Sequence, residues 1–172
     1  MGSDFFDNLV RLELLGFFSG FPLLYALVVS LAGNKRIGQW ARMDIRKLLP
    51  LSYALVGTLY LGLQLRNLYA NYTHGIPLFR DLGLWHAWAL LSLLFWIPRL
   101  RQYAILSLLH SLVFFFLLAK ELFVQLLYSP NDSIPISIEM KLYTDSLLLN
   151  LVAWAIVLLI AFFFRRKKIG TS

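Results

Sequence analysis

Apolar residues in this chain gather into five long runs, roughly 9–31, 48–70, 82–97, 103–127 and 147–164, with most of the charged residues in the gaps between them. All but the third reach the ~20 residues that an α-helix needs to cross ~30 Å of hydrocarbon. A backbone in lipid has no water to bond, so such runs are expected to close their hydrogen bonds internally as helices. The pattern predicts an all-α, polytopic integral membrane bundle of five transmembrane helices, forming one domain over residues 1–172.

The third and fourth runs are separated by a break inside one continuous apolar tract. As a single helix, residues 82–127 would extend about 69 Å, over twice a bilayer. Pro98, followed by Arg99 and Arg101, stops the helix and resists burial, which predicts a tight hairpin. The third span is then short, about 16 residues, so it is expected to thin the membrane, lean on Trp85 and Trp96 as interfacial anchors, or pack within the bundle.

Polar positions inside the runs carry the next signal, because they are costly in lipid and their helical phase shows what they face. In the fourth run Ser107, His110, Ser111, Glu121 and Gln125 share one narrow face, with Lys120 nearly opposite. In the second, Tyr53, Gly57, Tyr60, Gln64 and Asn67 align; in the fifth, Ser146, Asn150, Ala153, Val157 and Ala161. The first aligns Glu13, Gly16 and Gly20, the glycines making a small-xxx-small motif, and Pro22 is placed to kink it. These stripes should face protein. Glu13, Gln64, Asn67, Glu121, Gln125 and Asn150 all fall in one outer third and are the candidates for a polar pocket open to the outside. Ser107, His110 and Ser111 form a candidate intramembrane packing or polar-relay group.

Charge then sets orientation. Lys35, Arg36, Arg42, Arg46 and Lys47 occupy the first gap, Arg99 and Arg101 the third, and Arg165 to Lys168 the tail. Basic residues stay on the cytoplasmic side, which predicts five spans with the amino end out and the carboxyl end in. Within the first gap, Ile37, Trp40, Ala41 and Ile45 oppose Arg36, Gln39, Arg42 and Arg46, so residues 36–47 are predicted to lie flat on the membrane as an interfacial amphipathic helix. Arg36, Trp40, Arg42 and Arg46 are its candidate docking residues. The outer loop at 129–141, with Pro130 and Pro135, is expected to be a lid or partner contact. The amino end lacks the basic region of a cleavable signal, so the first run is expected to be retained.

Composition narrows the function classes. The chain is 59% hydrophobic and 15% charged, with a mean hydropathy of +0.70, far from a soluble core. The net charge of +7 sits beside membrane runs, which points to anionic headgroups on the cytoplasmic side and away from nucleic acid. With no cysteine, disulfides, thiolate nucleophiles and Cys-ligated metals are excluded. Ser19 lies in Gly-Phe-Phe-Ser-Gly, which is not a nucleophile elbow, and no H-E-x-x-H pattern occurs. His86 and His110 fall more than ~10 Å apart along the bundle axis, so one haem does not bridge them; no cofactor is expected. Two sequons, at Asn71 and Asn131, fall on the expected outer side.

A chain with so little aqueous surface and no catalytic pattern reads as a non-catalytic accessory, scaffold or assembly subunit of a larger membrane complex. Its expected partners are lipids, other membrane subunits or copies of itself, in a bacterial inner membrane. The alternative is a small oligomeric transporter or channel using the outer polar pocket, although no inverted repeat supports it.

Overall fold

The computed structural model describes residues 13–33, 39–73, 84–128 and 133–169. Every regular element among them is helical: α1 over 13–18, α2 Phe21–Gly33, α3 Gln39–Thr73, α4 Leu84–Leu90, a 3₁₀ segment Leu91–Trp96, α5 Pro98–Arg101, α6 Ala104–Tyr128 and α7 Ser133–Ile169. Four stretches are long and apolar enough to cross a membrane, Glu13–Leu31, Lys47–Ala70, Ala104–Val124 and Met140–Phe164, with the shorter Leu84–Trp96 as a fifth apolar segment.

Side-chain contacts fix how the segments run. Gln64 reaches Glu13 while Tyr53 packs on Phe21, so α3 is antiparallel to α1–α2. His86 meets Tyr60 and Phe95 meets Tyr53, so the third segment is antiparallel to α3. Phe114 stacks on Phe18, with Glu121 beside Leu14 and Leu15, which sets α6 antiparallel to α1–α2. Gly16 lies against Leu142 and Gly20 against Ser146 and Leu147, so α7 runs parallel to α1–α2. Five apolar segments therefore alternate in direction, and residues 39–47, 99–101 and 165–168 fall at one common end.

At the centre sits an aromatic core. Phe18, Phe21, Tyr53, Tyr60 and Phe114 are fully buried, with Phe18 touching Tyr53, Tyr60 and Phe114 at ring-centroid distances of 5.6, 5.4 and 4.9 Å. Edge-on and stacked pairs of this kind are worth about 0.5–1.5 kcal/mol beyond their area. Outward-facing side chains of α7, among them Leu148, Leu151, Ile156, Leu159 and Ile160, are exposed and apolar, as a lipid-facing helix requires.

Three expectations are corrected. Residues 39–47 are not a separate surface helix: they are the first turns of α3, which continues unbroken past Pro50 to Thr73. At 35 residues this helix is about 52 Å long, longer than the hydrocarbon layer is thick. The loop expected at 129–141 is helical from Ser133 onward, because Pro135 falls in the first turn, where its missing N–H breaks no intrahelical bond; residues 129–132 lie outside the described set. The last apolar span accordingly starts at Met140 rather than 147.

Two local predictions are met with added detail. Pro22 does interrupt the first run: helix gives way to a turn at Ser19–Gly20 before α2 resumes. The third segment gains length by changing its winding. Seven α-helical and six 3₁₀ residues rise about 22 Å, against about 20 Å for an all-α segment. Ile97 is extended, and Pro98 opens α5, forming the hairpin.

Candidate functional site

The polar residues of the interior lie in two groups, and each exists because a helix is irregular nearby. The first is at the Ser19–Gly20 break. An interruption caused by proline leaves backbone groups without intrahelical partners, which in lipid must be met by neighbours. Two side chains one turn apart on α7 do this: the Gly20 N–H donates to Ser146 Oγ at 2.9 Å, and Asn150 Nδ2 donates to the Phe17 carbonyl at 2.8 Å and to the Ser146 carbonyl at 2.8 Å. Ser146 and Asn150 are both buried. Gly20 permits the approach, since any Cβ there would overlap the Ser146–Leu147 backbone. The Oδ1 of Asn150 and the Nε1 of Trp154, one turn further along, are buried without hydrogen-bond partners among the described residues.

The second group is a column along α3. Tyr53 and Tyr60, seven residues apart, are fully buried, and each meets a histidine. The Tyr53 hydroxyl lies 2.7 Å from His110 Nδ1, and His110 Nε2 lies 2.9 Å from the Trp88 carbonyl. A carbonyl only accepts, so Nε2 carries the proton, Nδ1 accepts, and the Tyr53 hydroxyl donates. The same imidazole stacks on Trp88 at 5.1 Å and 7°. Switching from i+4 to i+3 bonding skips one carbonyl, and Trp88 stands just before the switch at Leu91; His110 supplies a donor there. Tyr60 bonds His86 Nδ1 and stacks on it.

One turn beyond Tyr60 on α3, Gln64 Nε2 donates to Glu13 Oε2 at 3.2 Å. Asn67, one turn beyond Gln64, is half-buried. Glu121 lines a separate cleft with Leu14, Leu15, Trp85 and Leu117, whose volume is about 20 Å³, enough for one water molecule. Of the six residues expected to form one pocket, Glu13 and Gln64 meet, Asn150 is committed to the helix break, Glu121 lines the cleft beside Leu14 and Leu15, and the side chain of Gln125 lies outside the described set.

Ser107 and Ser111 are buried as their stripe requires, but they are not the partners of His110. Their hydroxyls donate to the carbonyls of Ala104 and Leu108 on their own helix. The relay suggested by phase alone is replaced by Tyr53, His110 and the Trp88 carbonyl. Tyr53 was visible in the sequence as a stripe member; the Trp88 carbonyl was not, because only the 3₁₀ winding frees it. Of the candidate docking residues, Arg36 lies outside the described residues, and so do the side chains of Trp40, Arg42 and Arg46. Among the described residues, no group of three or more His, Asp or Glu side chains is placed to hold a metal ion.

Chemically, the column is a set of fixed dipoles more than a conduit. Tyr53 and Tyr60 stand about 10 Å apart along the helix, and the Phe18 ring packs against both. An apolar ring gives a proton no place to rest between them. No known protein family, curated protein or solved structure matches this chain.

Proposed function

We propose that this chain is a non-catalytic membrane subunit, a scaffold or assembly partner within a larger complex, crossing the bilayer five times with its amino end outside and its carboxyl end in the cytoplasm of a bacterial cell. One observation carries the reading: the interior tyrosine, histidine and asparagine side chains, with Ser146, tie helix to helix. Ser146 and Asn150 hold α7 to α1–α2, His110 holds α6 to both α3 and α4, and Tyr60 holds α3 to α4. A bundle closed in this way acts through its outer faces. Those faces are lipid-facing helices and short ends, suited to other membrane subunits or to a second copy, with anionic headgroups at the basic end.

The outer cleft at Glu121 weighs against a carrier, since about 20 Å³ admits water and not a solute. Extraction of the full chain in mild detergent, followed by mass spectrometry of what co-purifies, tests the proposal. The expected result is the same membrane partner, or a second copy, in fixed stoichiometry across detergents. Solute flux in reconstituted vesicles that disappears in Glu121→Gln, with the fold intact, would overturn it in favour of a transporter.

A further inference from the structure

We infer that the bundle binds one water molecule in its interior, bridging Asn150 Oδ1 and Trp154 Nε1 on α7. The inference goes beyond the subunit reading and calls on no partner chain.

Asn150 defines one half of the site. Both N–H bonds of its amide are spent, one on the Phe17 carbonyl at 2.8 Å and one on the Ser146 carbonyl at 2.8 Å. Turning the amide over would set Oδ1 against two carbonyls that only accept, so its orientation is fixed. Oδ1 is left as an acceptor with no donor among the described residues, on a side chain that is 1% exposed. Trp154 supplies the opposite half. An indole Nε1–H only donates, and this one is buried with no acceptor among the described residues.

Spacing brings the halves together. Four residues apart on one helix, the two side chains share a face and start from Cβ atoms about 5–6 Å apart. The Trp154 ring packs against the hydrophobic core, and its Nε1 makes no bond to Asn150. A group that accepts from Nε1 and donates to Oδ1 satisfies both at once. Two ordinary hydrogen bonds meeting at the tetrahedral angle of water span about 4.6 Å, a separation that side chains rooted this far apart can present.

Depth and enclosure select water as the ligand. Within the apolar stretch Met140–Phe164, the two residues lie about 15 and 21 Å from its first residue, near the middle of a bilayer. Bulk solvent does not reach there to complete the missing bonds. Both atoms are closed off from the surface, which excludes a larger polar molecule, and two polar partners are the least that a buried water requires. The seam that holds α7 at the Ser19–Gly20 break then runs one turn further, from Ser146 and Asn150 through the water to Trp154.

The test uses the purified full chain in detergent micelles, with the indole N–H signal of Trp154 assigned by its loss in Trp154→Phe. A nuclear Overhauser contact between that proton and a long-lived water is expected. In a second measurement Trp154 is replaced by benzothienylalanine, which keeps the shape of the ring and puts sulfur in place of the N–H. The thermal midpoint is expected to fall by about 2–4 °C, the effect of one hydrogen bond lost from a chain of this size. An unchanged or raised midpoint would mean that the N–H had no partner to lose. A lowered midpoint without the water contact would mean that Nε1 bonds Asn150 directly, and either result overturns the inference.

Discussion

At Gly20 a methyl group would land on the backbone of Ser146 and Leu147, so an alanine there must push α7 away from α1–α2 and stretch the bond between the Gly20 N–H and Ser146. Overpacking of this kind costs about 1–3 kcal/mol. Gly62 is the internal control, for a methyl there meets nothing within 4 Å and alanine is the better helix former. Gly20→Ala is therefore expected to lower the thermal midpoint of the detergent-solubilised chain, while Gly62→Ala leaves it unchanged or slightly raised. Equal effects would mean that the close approach of α7 is not what Gly20 provides. Both glycines look alike in the sequence, as small residues in apolar runs; phase and the Gly16 partner singled out Gly20, and the structure adds the atoms it accommodates.

Between elements, the close join of α3 to the third segment depends on one such small residue. A Cβ on Gly57 would overlap the Ser92 hydroxyl and come within 3.0 Å of its Cβ, and that hydroxyl in turn donates to the Ala89 carbonyl at 2.6 Å. Gly57→Ala alone is expected to destabilise by about 1–3 kcal/mol, and Ser92→Gly alone to lose a hydrogen bond and some helix propensity. Together they should cost less than the two separately, with a coupling of about 0.5–3 kcal/mol, read from melting of the four proteins in one detergent; strict additivity would remove the contact from the account. The existence of each segment, the break at Pro22 and the hairpin at Pro98 were legible from apolar run length and proline position. Winding was not. The change to 3₁₀ at Leu91 and the continuity of α3 through Pro50 depend on tertiary contacts that outweigh local preference, and with them went the true partners of His110. Tyr53 and Tyr60 were visible as buried-face residues, but which histidine each would meet requires the antiparallel register, which no single run contains.

For the molecule as a whole, alternating direction and charge make one joint claim that each alone leaves open. Side-chain contacts set the five segments up and down in turn, so 39–47, 99–101 and 165–168 share an end whatever membrane surrounds them. In the proposed topology that end is the cytoplasmic one, because the nine Lys and Arg positions in those stretches resist translocation. The third segment is the shortest, at about 22 Å against ~30 Å of hydrocarbon, and in the proposed five-span topology its exposed Trp85 and Trp96 anchor its two ends at the interfaces. Because the chain has no cysteine, single cysteines introduced at Ser3, Asn131, Gln102 and Ser172 report their own side without background. Impermeant maleimide applied to intact cells is expected to label positions 3 and 131, and to reach 102 and 172 only after the membrane is opened. Labelling of 102 and 172 from outside while 131 stays protected would mean that the third segment enters and leaves by the same face. Residues 99–101 would then lie apart from 39–47, and the packing of Phe95 on Tyr53 and of His86 on Tyr60 would have to be abandoned with them, since both require the segment to run the full course of α3.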